Sequence, residues 1–198
     1  MIALIIFLLI VALVVNQLKK NVPNTATQKL FTIIRNAAFI GIFIAAIFSS
    51  IAQVGAGEAG VQVLFGSVQD GVLKSGLNFV NPLIDVEKMD VKTQAYTMSS
   101  IRDEGQQSGD DAISSLSMDG LTLKLDVTVW FRLSENDAPQ VYRTIGMDYV
   151  EKIVRPAVRT AIRDVSVGYS ATDIYSIKRE DFVRDITKNL ENAFNGRG

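Results

Sequence analysis

Between Arg35 and Glu58 the chain carries no ionisable residue, and residues 37–54 are almost wholly apolar. A run of that length is what an α-helix needs to cross a hydrocarbon core of about 30 Å, where the backbone must satisfy its own hydrogen bonds. A buried helix of a soluble domain is the weaker reading, because a second uncharged apolar run, 1–18, occupies the same short region. The pattern predicts a transmembrane helix at 37–56, joined almost without a linker to a folded domain over 57–198. Such a domain must lie against the membrane surface.

The run 1–18 lacks the basic n-region and small-residue cleavage site of a signal peptide. As a helix it would measure about 27 Å, at roughly 1.5 Å per residue, which is marginal for a span. A membrane-embedded first helix is therefore expected, with a half-inserted segment as the alternative. The only charges before Glu58 are Lys19, Lys20, Lys29 and Arg35, all in the connector 19–36. The positive-inside rule puts that connector on the cytoplasmic side, or its organellar equivalent, and the following domain on the opposite face. Ala37, Gly41, Ala45 and Ser49 recur every four residues, a small-residue stripe that would let another helix approach.

Cysteine and histidine are both absent. Disulfides, thiolate metal sites and Cys nucleophiles are excluded, and the commonest general base and metal ligand are missing. No metal or cofactor is expected. With a net charge of −1 overall and four cations before Glu58, the rest of the chain is net acidic. There is no basic stripe interleaved with aromatics, so nucleic acid is not an expected partner.

Past Glu58 the pattern changes to short strands. Val61, Val63 and Phe65 alternate up to Gly66, Asp70-Gly71 is a hairpin signal, and Asn81-Pro82-Leu83 turns the chain. Residues 99–112 read as a solvated loop and Met118-Asp119-Gly120 as a turn. In 121–133 the apolar residues Leu121, Leu123, Leu125, Val127, Val129, Phe131 and Leu133 alternate with polar ones and Trp130, predicting one long strand with one buried face. Helices follow. A stripe at Val150, Ile153, Val154, Ala157, Val158, Ala161, Ile162 and Val165 predicts a helix capped by Asp148 and kinked at Pro156. A second, capped by Ser176, would carry Val183, Ile186, Leu190 and Ala193. Strands first and helices after point to an α+β fold, a largely antiparallel sheet with helices on one side.

These residues carry a resemblance. Glu58-Ala59-Gly60-Val61, Gly66 with the run from Ser75-Gly76-Leu77 to Asn81-Pro82, Asp119-Gly120 before the long strand, Tyr142-Arg143, the run Ile153-Val154-Arg155-Pro156-Ala157-Val158-Arg159, and Arg179-Glu180 together resemble the SPFH or band 7 superfamily, above all its prohibitin and stomatin branches. The resemblance covers 57–198. It implies a non-enzymatic integral membrane scaffold that assembles with copies of itself or a paralogue into rings or cages, organises membrane microdomains and modulates a membrane-bound AAA protease of the FtsH type. A bacterial inner membrane and a mitochondrial inner membrane fit equally, with the domain in the periplasm or intermembrane space. Family members carry a further strand and a coiled-coil helix beyond the region that ends at Gly198, so a C-terminal part is expected to be missing from this sequence. The alternative function is an anchored regulatory module acting on a channel or other membrane protein without forming a large cage.

Within that frame, Phe79, Val80, Pro82 and Leu83 form a loop that either touches lipid or contributes ordinary core residues near a turn. Lys124, Asp126, Trp130 and Arg132 share one strand face, and Glu151, Arg155, Arg159 and Arg163 one helix ridge; these are the candidate interface residues between subunits, a solvated face being the ordinary role of such a charged ridge. For Trp130, packing under one of the domain's own helices is the favoured placement. The enzyme reading would need Asp110-Asp111 and Asp119 as paired carboxylates, but aspartate in turn-rich sequence is ordinarily there for local hydrogen bonding. Ser99-Ser100 and Ser114-Ser115 have neither a histidine nor a nucleophile elbow. A transport role would need intramembrane charge, and the stretches 1–18 and 37–54 carry none.

Overall fold

The computed structural model describes residues 2–20, 25–107 and 109–195. They form two compact units, Met1–Lys88 and Met89–Gly198. The chain end at 196–198, where the resemblance places the approach to a further strand, lies outside the described residues.

The first unit begins with two helices, α1 (Ile2–Lys20) and α2 (Thr25–Ser49), which pack on each other through Ala12, Val15, Ala38 and Ala45. Of the small-residue stripe, Ala45 is buried, Gly41 and Ser49 are half-buried, and Ala37 is exposed. Outside that seam the large apolar residues Phe7, Ile10, Leu13, Phe39, Phe43 and Phe48 face outward. Helices with such a surface match lipid rather than water as their solvent. Gln28–Ser49 is long and apolar enough to cross a membrane.

The helix differs from the expected span at both ends. Most of the expected connector is helical, so Lys29 and Arg35 sit on α2 itself. At the other end α2 stops at Ser49: the Ser50 amide and hydroxyl both donate to the Ala46 carbonyl, and Ile51–Val54 leaves as strand β1. The uncharged helix from Asn36 to Ser49 therefore measures about 21 Å, at 1.5 Å per residue.

Strands β1, β2 (Glu58–Leu64), β3 (Ser67–Leu73) and β4 (Gly76–Phe79) build one long ribbon. β1 pairs with β4, Ile51 opposite Phe79 and Val54 opposite Gly76; β2 pairs with β3, Gly60 opposite Leu73 and Leu64 opposite Ser67. The two ladders thus follow one another, interrupted by an excursion at 55–59 that is longer than the two residues opposite it. Gly60 stands where the excursion rejoins: a Cβ there would lie 2.9 Å from Leu73 Cβ and Val54 Cγ2. Strand β5 (Ile84–Asp90) completes a three-stranded sheet in the order β3-β2-β5. The hairpin turn falls at Phe65-Gly66, not at Asp70-Gly71, which lies inside β3.

The second unit repeats the device on a larger scale. β6 (Gln94–Met98) pairs with β9 (Val127–Phe131), and β7 (Ile113–Leu116) with β8 (Thr122–Leu125). The predicted strand 121–133 is split at Asp126, where its partner changes and the loop 99–112 departs. The Asp126 carboxylate fixes the break by accepting from the Ser100 amide at 2.8 Å. The alternation survives the split, with Leu123 and Leu133 buried, Leu125, Val127, Val129 and Phe131 half-buried, and residues 122, 124, 126, 128, 130 and 132 exposed. Leu121, at the turn before β8, is exposed.

The covered face of this ribbon packs under α4 (Arg155–Ser166) and α6 (Arg179–Asn195); the short helices α3 (Ala138–Thr144) and α5 (Ala171–Tyr175) precede them. Val158 and Ile162 on α4 are fully buried, each contributing about 1.5–3 kcal/mol of transfer free energy. Just before Pro156 the helix makes a π turn over Val150–Val154, in which the Arg155 amide donates to Val150 O five residues back. Pro156 then lies in the first turn of α4, directly after that π turn. Neither predicted cap is present: the Asp148 carboxylate lies 3.5 Å from Lys152, and Ser176 ends α5 with its hydroxyl donating to Thr172 O. On α6 the buried line steps by four, Phe182, Ile186 and Leu190, leaving Val183 exposed.

Candidate membrane-contact and assembly surfaces

The base of the first ribbon is tied to the end of α2. The Val80 amide donates to Ser50 O at 2.8 Å, and Ser49 Oγ approaches Pro82 O at 3.4 Å. Asn81 shapes the turn, accepting from the Leu83 amide on its side chain (3.0 Å) and from the Ile84 amide on its carbonyl (2.9 Å). Phe79 is 81% exposed directly opposite Ile51, two residues past the helix end. Leu83 is exposed as well, while Val80 and Pro82 are half-buried. The four predicted residues thus form one turn beside the point where α2 ends. Leu77 and Ile51 belong to the same apolar rim and were not predicted, although Leu77 shares the Phe79 face by the two-residue period of a strand.

In the second unit the expected interface residues divide. Lys124, Asp126, Trp130 and Arg132 all lie on the outer face of β8–β9. Trp130 is 74% exposed, so it does not pack under a helix of its own domain. Lys124 Nζ reaches Asp110 at 2.5 Å, which holds the Asp110 carboxyl below its ordinary value.

Glu151, Arg155, Arg159 and Arg163 turn toward their own domain. Glu151 accepts from the Tyr96 hydroxyl (3.0 Å) and from Gln107 (3.3 Å). Burial, reinforced by that carboxylate, raises the Tyr96 pKa. Arg155 donates to Asp111 Oδ1 at 2.5 Å, Arg159 donates to the same oxygen and to the Asp111 carbonyl at 3.1 Å, and Arg163 donates to Ser114 O at 3.3 Å. The hydrogen bond to Asp111 raises the Arg155 pKa, keeping its charge fixed. The ridge expected to face an acidic neighbour has its acidic partner in the same chain. Asp111 itself is only 8% exposed at its side chain, in a loop expected to be solvated throughout. Asp119 keeps the expected turn role, accepting from Ser117 Oγ (2.5 Å) and the Ala171 amide (3.1 Å). Among the described residues no group of His, Cys, Asp or Glu is placed to hold a metal ion.

The ribbon at the end of an apolar helix and the ribbon under two helices lie in a sequence with known relatives. A sequence model of the SPFH domain / Band 7 family matches residues 52–198. The chain belongs to that family. The match begins inside β1, just past the end of α2. Among curated relatives, it is 26% identical to the mitochondrial prohibitin-7 of Arabidopsis thaliana over 172 residues, 85% of this chain and 57% of that protein. With the mitochondrial prohibitin-4 of the same plant it is 27% identical over 169 residues, 83% of this chain and 56% of the relative. The chain spans a little over half the length of these relatives.

Proposed function

We propose that this SPFH protein is a non-enzymatic membrane scaffold. Its helices α1 and α2 anchor it, the rim Phe79, Val80, Pro82 and Leu83 rests in the bilayer interface, and copies held at high effective concentration assemble side by side into a ring or cage. The outer face bearing Lys124, Asp126, Trp130 and Arg132 supplies an aromatic anchor among charges for the lateral contact. Such an enclosure would organise a membrane patch and regulate a membrane-bound AAA protease within it. The basic residues Lys19, Lys20, Lys29 and Arg35 all precede the uncharged part of α2, and by the positive-inside rule they favour an extracytoplasmic domain.

The observation that supports this reading is the hydrogen-bonded junction between the end of α2 and an exposed apolar turn, which keeps that turn beside the last residues of the apolar helix. The sequence has no cysteine, so a Phe79→Cys variant of the full chain can carry one fluorescent label. In vesicles, nitroxide-bearing lipids should quench that label strongly. A label at Phe79 as accessible to aqueous quenchers as one on Lys124→Cys would rule out membrane contact.

A further inference from the structure

The first ribbon ends in a two-residue loop, because Leu64 stands opposite Ser67. Phe65 has φ 49° and Gly66 φ 83°, so both adopt the left-handed conformation of a type I′ turn. Glycine accepts that conformation freely, and asparagine is the side chain best suited to the first position; a bulky aromatic is strained there. Phe65 is also 80% exposed. Two independent features, backbone strain and a bared aromatic ring, therefore disfavour this residue in an isolated subunit, and strain of this kind concentrates where a chain makes functional contacts. From Ala59 to Gln69 the tip carries no charge.

The membrane rim does not account for Phe65. Ile51 and Phe79 lie at one end of the ribbon and Phe65 at the other, up to about 40 Å away at 3.3 Å per residue along 67–79. We propose that Phe65 is an intermolecular anchor that inserts into an apolar recess of a second copy of this chain tethered beside it. The inference rests on the side-by-side assembly proposed above. Because the ribbon base is hydrogen-bonded to the end of α2, copies anchored by that helix would present their tips at the same height over the bilayer. An uncharged tip has no electrostatic means of choosing a foreign partner but desolvates cheaply against a neighbour already at high local concentration.

The test uses the full chain in its membrane. A photoreactive benzoylphenylalanine at position 65 should cross-link to a second copy, giving a product of twice the subunit mass; products with lipid alone, or with a different protein alone, overturn the proposal. In parallel, Phe65→Asn converts the loop to the preferred Asn-Gly. It should leave the thermal midpoint unchanged or raised while the concentration for half-dissociation of the detergent-extracted assembly rises at least tenfold. A lowered midpoint with undiminished assembly would make Phe65 an ordinary structural residue. If the unaltered chain assembles and the variant assembles equally well, only the anchor fails; if the unaltered chain is a single subunit, the scaffold reading fails and takes the anchor with it.

Discussion

Asp111→Asn should loosen the loop 99–112 out of proportion to its conservative chemistry. The carboxylate is nearly buried and takes guanidinium donors from Arg155 and Arg159 on one oxygen, while its amide donates to Ser99 O at 2.9 Å. Breaking a fully buried ion pair costs about 3–5 kcal/mol. Both arginines are a quarter to a third exposed, and water can recover part of their solvation, which brings the expected cost to about 2–3 kcal/mol. If that cost falls on local opening, the Asp111 amide and its neighbours should exchange deuterium about 30- to 140-fold faster, at a decade per 1.4 kcal/mol. Mass-spectrometric hydrogen exchange on the full chain in detergent reads this directly. Asp110→Asn is the internal control: its pair with Lys124 is more than half exposed, and such surface bridges contribute about 0–1 kcal/mol. Equal acceleration in the two variants, or less than threefold in Asp111→Asn, would refute the claim that the two arginines hold this loop.

Other consequences concern the turns and the ribbon. Tyr169 donates to Asp185 at 2.6 Å, and that hydrogen bond pushes its pKa to about 12. A raised tyrosine contributes stability that is complete below the unfolded value near 10 and fades as pH rises through the folded one; tyrosinate absorbance should show one group titrating near 12 that moves back toward 10 in Asp185→Asn. Asp119 shows the opposite sign. The Ser117 hydroxyl and the Ala171 amide lower its pKa, so its contribution is present above the unfolded carboxylate value of about 3.9 and lost on further acidification. Exchange protection at the Ala171 amide should fall below that pH, whereas Asp119→Asn should show weak protection at every pH. Gly60→Val should destabilise the first ribbon by about 1–3 kcal/mol through overpacking against Leu73 and Val54; thermal unfolding with an unchanged midpoint would contradict the continuous-ribbon register.

What was legible in the sequence is what a local period records. The alternation over 123–133 and the stripe from Val154 to Val165 describe the same faces in the structure, because strand and helix periods need only near neighbours. The presence of a long apolar helix before the domain was legible too, since a run without charge is a matter of composition and length. The misreadings arise where a distant partner decides. Asp111 sits in polar, turn-like sequence, and its burial depends on arginines 44 and 48 residues away. Asp70-Gly71 has better turn chemistry than Phe65-Gly66, yet the pairing of Leu64 with Ser67 places the turn at the poorer pair. The end of α2 at Ser49 follows from β1 pairing with β4, an association no window over residues 37–56 contains.

The central claim is that anchored copies assemble into a closed membrane scaffold. It is tested most directly by the mass and shape of the detergent-extracted chain, from light scattering after size exclusion followed by electron microscopy. The scaffold account predicts closed rings or shells of many copies with the apolar helices gathered on one side; a stable monomer or dimer across the accessible concentration range would contradict it.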